Sequence, residues 1–76
     1  MSVRLERCYV ECAANMWRIR HDRGLLQKDV AKKIGVTPAC YSHLECARQR
    51  VQMHDLPAIA AALGVTVKDL LPRAWR

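Results

Sequence analysis

The chain contains no phenylalanine and only four aromatic residues, Tyr9, Trp17, Tyr41 and Trp75. With so little aromatic volume, a folded core falls to Leu, Ile, Val and Ala, as in small helical bundles. No apolar run approaches the roughly 20 residues needed to span a bilayer, and the N-terminus lacks the apolar stretch of a secretory leader. The expected location is therefore the cytoplasm, with no membrane contact. Cys8, Cys12, Cys40 and Cys46 are even in number, but a reducing compartment disfavours structural disulfides. Carboxylates are few and His21, His43 and His54 are isolated. No nucleophile, base and orienting group form a catalytic set, so an enzyme is not expected. Seventy-six residues supply one domain, 1–76, and no room for a separate effector-binding unit. A domain this small buries only about 60% of the surface its unfolded chain exposes, and self-association would help stabilise it.

What the sequence does have is localised positive charge. The formal net charge is +6. Arg18, Arg20, Arg23, Lys28, Lys32, Lys33, Arg48 and Arg50 face only Asp22, Asp29 and Glu45 between residues 15 and 50, which places +5 in that segment. A charge run by itself reads as a solvated surface. Here it coincides with a structural pattern over residues 25 to 45. Leu26, Val30, Ala31 and Ile34 share one face of a helix whose other face carries Gln27, Lys28, Lys32 and Lys33. Gly35 can enter the left-handed region that ends a helix. Thr37 then offers an N-cap oxygen and Pro38 a first-turn residue, so a second helix begins there. Its inward positions are Tyr41 and Leu44, which leaves Pro38, Ala39, Ser42 and His43 outward and Cys40 between the two faces. Two helices joined by a tight glycine turn form a helix-turn-helix, about residues 26–46, whose second helix can enter the major groove of DNA.

The flanking segments read as further helices. Leu5, Cys8, Tyr9, Cys12, Met16 and Ile19 recur at three- and four-residue steps, predicting a first helix from near Val3 to about Arg23. The apolar strip of residues 3–14 either folds back on the core or helps to build a dimer. Asp55 is expected to cap a fourth helix with Pro57 in its first turn, with Leu56, Ile59, Ala60 and Leu63 inward and Gly64 as the stop. Thr66 and Asp69 have the spacing of a capping box for a short fifth helix, Val67 to Leu71, ended by Pro72. The result is an all-α chain of five helices. Internal repeats and low-complexity segments are absent.

Three stretches, Met16-Trp17-Arg18-Ile19-Arg20 followed by Gly24-Leu25, Gln27 through Glu45, and Leu56 through Val67 with Leu70-Leu71, resemble the helix-turn-helix family of the phage Cro and CI repressors, the XRE family. The last of them looks especially like the lambdoid repressors, and together they span about residues 15 to 71. The resemblance implies a compact lambda-repressor-like domain with an extended N-terminal helix. It also implies a sequence-specific transcriptional regulator, a homodimeric repressor or controller at a palindromic operator. Contact with bases is implied for Pro38, Ala39 and His43, with Ser42 close by. Pro38 and Ala39 can meet thymine methyls but cannot make bidentate hydrogen bonds, so His43 is the main hydrogen-bonding reader on this face. Phosphate contacts are expected from Gln27, Lys28, Lys32, Cys40, Arg48 and Arg50, Gln27 resembling a backbone-clamping glutamine of the family. Arg20 and Glu45 stand where the family forms a structural ion pair. Dimer contacts are implied around the fifth helix, residues 64–76, at Val67, Leu70, Leu71 and Trp75.

The match departs from the family after Glu45. Where glycine is usual stands Ala47, either a mildly strained left-handed alanine or a sign that the helix runs on through Cys46 and Ala47. The segment Arg48 to Gln52 is also one residue longer than in the lambdoid relatives. Cys8, Cys12 and His21 invite a zinc reading, but a cysteine pair at one-turn spacing on an apolar stripe reads as packing, and no metal or cofactor is expected. Oxidation of Cys40 or Cys46 would block docking on DNA. Two rival classes remain open. One is an antitoxin-type interaction protein that holds a partner protein as well as DNA, through the N-terminal strip or the segment from Ala47 to Val51. The other is an adaptor that has lost DNA binding, against which the retained positive face argues.

Overall fold

A single long helix sets the length of the molecule. The structure, a computed structural model, describes residues 2–73, with side chains from Tyr9 onward. Helix α1 (Ser2–Asp22) has 21 residues; at 1.5 Å per residue it is about 31 Å long, nearly the whole of the 34 Å long dimension. Cys12, Ala13, Met16 and Ile19 form its buried stripe. Helix α1 runs unbroken through the N-terminal turns; of the apolar strip, Cys12 and Ala13 are buried and Val10 is exposed, while the side chains of residues 3–8 lie outside the described ones. No helix among the described residues is long and apolar enough to cross a membrane.

Helices α2 (Gln27–Ile34) and α3 (Pro38–Glu45) follow, then α4 (Leu56–Leu63) and α5 (Val67–Leu70). The chain leaves α2 through Gly35 at φ 78°. Its N–H donates to the Lys32 carbonyl and that of Val36 to the Ala31 carbonyl, the paired closure that a left-handed residue permits. The chain leaves α3 in the same way. Ala47 has φ 59°, its N–H donates to Leu44, and the Arg48 N–H donates to His43. Of the two alternatives at this site the strained alanine is the one observed, and α3 stops at Glu45.

Two sequence expectations need correction here. Asp55 makes no side-chain cap on α4. A 3-10 turn, Met53–Asp55, leads straight into that helix and gives Asp55 helical backbone angles, φ −87° and ψ −17°, so its side chain is not in the extended setting of a cap. Helix α5 ends at Leu70, not Leu71. Leu71 precedes Pro72, whose ring disfavours helical angles in the residue before it, and Leu71 accordingly adopts φ −71° and ψ 153°.

Four residues cannot sustain a helix alone. Helix α5 is held from three directions: the Thr66–Asp69 capping box, the buried Leu70 side chain, and Asn15 of α1, whose Nδ2 donates to the Leu70 and Leu71 carbonyls at 3.1 and 3.3 Å. The common core gathers Met16, Val30, Tyr41, Ile59, Leu63 and Leu70, one or more from every helix. Its aliphatic make-up follows from the scarcity of aromatics.

Candidate nucleic-acid interface

The start of α3 is built as its sequence suggests. Thr37 Oγ1 accepts the Cys40 N–H at 3.1 Å, and Pro38 occupies the first turn without needing a donor. Rotation of α3 about its axis is then set by what it buries. Tyr41, Leu44 and Glu45 point inward. Pro38, Ala39 and His43 are exposed, while Cys40 and Ser42 are half-buried.

The inner end of α3 carries a charged lock. Arg20 Nε donates to Glu45 Oε2 at 2.7 Å and Arg20 Nη2 to Oε1 at 3.1 Å, a bidentate pair joining α1 to α3. Gln27 Nε2 donates to the same Oε1 at 3.2 Å, and Arg20 Nη1 to the Leu25 carbonyl at 2.8 Å. The Glu45 side chain retains only 1% of its exposure and that of Arg20 11%, so the carboxylate depends on these donors. Hydrogen bonding to Glu45 holds the Arg20 guanidinium above its ordinary pKa, against the burial that pulls it down. Tyr41 lies beside this lock. Burial, and then the Glu45 carboxylate, raise its phenol well above the ordinary value, and its hydroxyl is buried without a well-formed hydrogen bond.

The structure therefore treats the candidate phosphate ligands unequally. Lys28 and Lys32 are exposed on the outer side of α2. Lys33 is also exposed, but it lines a depression with Arg23 and the end of α4. Gln27 sits half-buried at the first residue of α2 with one amide N–H committed to Glu45, so its second amide hydrogen and the helix N-terminus are what it can offer a phosphate. Cys40 turns its thiol toward Gln49 Oε1 at 3.9 Å. Arg48 and Arg50 are exposed, and the Arg50 guanidinium lies 5.2 Å above the centre of the Tyr9 ring. Sequence reading missed Asn15 and Tyr9 as contributors, because each acts across the fold on a residue far away in the chain, and Gln49, whose contact with Cys40 closes over a non-helical turn.

Around α5 the structure removes one candidate. Leu70 is wholly buried in the protomer's own core and has no surface for a partner. Val67 and Leu71 are half-buried at the edge of that core, and Trp75 lies outside the described residues. Of the residues in the cysteine–histidine zinc reading, the Cys8 side chain lies outside the described ones. Cys12 is buried, whereas His21 is exposed and stacks on Trp17 at 4.0 Å.

A short helix capped at its start, locked inward at its end and presented beside surface cations defines a helix-turn-helix domain. A helix-turn-helix domain family matches residues 14–74, and the chain belongs to it, as a member of the Cro/CI (XRE) type. Among solved structures it is similar to the clp gene regulator ClgR from Corynebacterium glutamicum, at 29% identity and TM-score 0.78, over 82% of this chain and 80% of that one. It is 30% identical to the hypothetical transcription factor NHTF from Neisseria, over 93% and 84% of the two chains at TM-score 0.76. The restriction-modification controller protein C.AhdI from Aeromonas hydrophila, 21% identical, shares the fold at TM-score 0.76 over 82% and 90%. HppE shares it at 22% identity over only 38% of its own length, a likeness of fold alone. No curated sequence matches the chain. The protein is thus a DNA-binding regulator by family.

Proposed function

We propose that this protein is a sequence-specific transcriptional regulator that binds DNA as a homodimer, with α3 in the major groove of each half of a palindromic operator. The observation that carries the reading is the exposed face of α3. Burial and the Arg20–Glu45 lock turn Pro38, Ala39 and His43 outward together, and Lys28 and Lys32 of α2 and Arg48 and Arg50 after α3 are exposed as well. His43 is the hydrogen-bonding reader of this face, Pro38 and Ala39 its methyl-contacting partners, and Ser42 an accessory donor. Val67 and Leu71 form the described part of the dimer seam, with recognition helices about 34 Å apart. The protein acts in the cytoplasm as a repressor or controller whose occupancy follows its own concentration, and it is not an enzyme.

Selection of binding sites from random duplex DNA, followed by mass measurement of the complex, tests this reading. The expected result is a palindromic consensus bound by two copies. Enrichment of no sequence, or one copy on a non-palindromic site, would overturn it.

A further inference from the structure

The loop that leaves α3 is tied down on two sides. Ala47 turns the chain through the left-handed region, and the Arg48 and Gln49 N–H groups both donate to the His43 carbonyl, at 3.0 and 3.3 Å. Gln49 meets Cys40 of α3. Arg50 meets Tyr9 of α1 with its guanidinium above the ring. Tyr9 belongs to the N-terminal part of α1, outside the residues 14–74 that match the family. Between these elements lies an open depression of about 330 Å³ lined by Tyr9, Val10, Ala47, Arg48 and Arg50.

A guanidinium held over a ring face by cation–π attraction commits none of its N–H donors to a hydrogen-bond acceptor. An arginine held this way keeps its donor capacity. It also needs less ordering when a phosphate arrives, because the contact has already restricted a long side chain. We infer that Tyr9 is a positioning residue for DNA binding: it holds Arg50 beside Arg48, so that the two guanidiniums take a backbone phosphate next to the half-site read by α3. The N-terminal extension of α1 then belongs to the DNA-binding apparatus. This rests on the reading that the loop arginines contact DNA.

A double-mutant cycle with Tyr9→Leu and Arg50→Ala, measured as affinity for one mixed-sequence duplex across a salt series, tests it. Arg50→Ala should weaken binding and make the log–log salt slope shallower by about 0.9. Tyr9→Leu should weaken binding roughly two- to fivefold in the presence of Arg50, as expected of an exposed cation–π contact, and have no further effect with Ala at 50. Tyr9→Phe, which keeps the ring, should bind like the unaltered protein with the same slope. Loss of affinity in Arg50→Ala without loss in Tyr9→Leu would overturn the positioning role alone. No change in Arg50→Ala would remove the DNA contact itself and the inference with it. Additive losses, tighter binding by Tyr9→Leu, or a Tyr9→Phe defect equal to that of Tyr9→Leu would each contradict the assignment.

Discussion

The two faces of α3 are governed by different physics. Inward, Tyr41, Leu44 and Glu45 are clamped by packing and by a buried charge pair, so each has many neighbours to disappoint. Outward, Pro38, Ala39 and His43 are exposed. Changes on the inner face should damage the fold, and binding only through the fold. Changes on the outer face should alter binding and leave the fold intact. In this helix of eight residues one face carries the restraint and the other is left free to vary.

The strongest way to break this division is Glu45→Ala. It strands the Arg20 guanidinium in a site that Glu45 alone neutralises, and should lower stability by about 3–5 kcal/mol. Replacing both partners by apolar residues, Arg20→Met with Glu45→Leu, should recover most of that loss in urea titration. A single mutant as stable as the parent would show that the pair does not hold α3.

The same inner–outer division should hold in α5. Leu70→Ala opens a cavity in the core and should destabilise by about 2–5 kcal/mol, whereas Leu71→Glu, just past α5 at the half-buried edge of that core, should cost less stability while shifting sedimentation toward monomer. If Leu71→Glu stays dimeric, the seam lies elsewhere.

On the outer face of α3, His43→Ala should leave the melting curve within about 0.5 kcal/mol of the parent. Its affinity for the selected operator should fall by about 1–3 kcal/mol while that for scrambled duplex hardly changes. Equal losses on both duplexes would move sequence reading to Ser42, the loop or DNA shape.

The smallest effect sharpens the boundary between the faces. Ala47 occupies a left-handed site that Gly35 fills at the end of α2 with the same hydrogen-bond closure. Ala47→Gly relieves that strain and loses part of the gain to unfolded-chain entropy, for a net stabilisation of about 0.5–1 kcal/mol by thermal unfolding. Destabilisation would mean that the Ala47 methyl group matters more than its backbone angle.

Much of this could be read from the chain because it is local. The Gly35 stop, the Thr37 cap with Pro38, and the Thr66–Asp69 box are each settled within a few residues, and the inward placement of Tyr41 and Leu44 follows from helical periodicity. What escaped was non-local or too short to show a period. Helix α5 has one turn, so its four residues do not reveal which leucine faces the core, and only the packing against α1 and α4 singles out Leu70. Asp55 has the residue type and position of a cap, but the 3-10 turn before it imposes helical angles. Gln27 looked like a phosphate clamp alone because its Glu45 partner is eighteen residues away. The Tyr9–Arg50 contact spans forty-one residues and leaves no spacing signal.

The central claim is that the positive face around α3 binds the DNA backbone, and a salt titration of the unaltered protein on duplex DNA tests it most directly. The account predicts a log–log plot of association constant against salt that is straight and steep, falling by about 0.9 for each phosphate neutralised, with Lys28→Ala, Lys32→Ala and Arg48→Ala each making it shallower by roughly one contact. A flat response between dilute and physiological salt would contradict it.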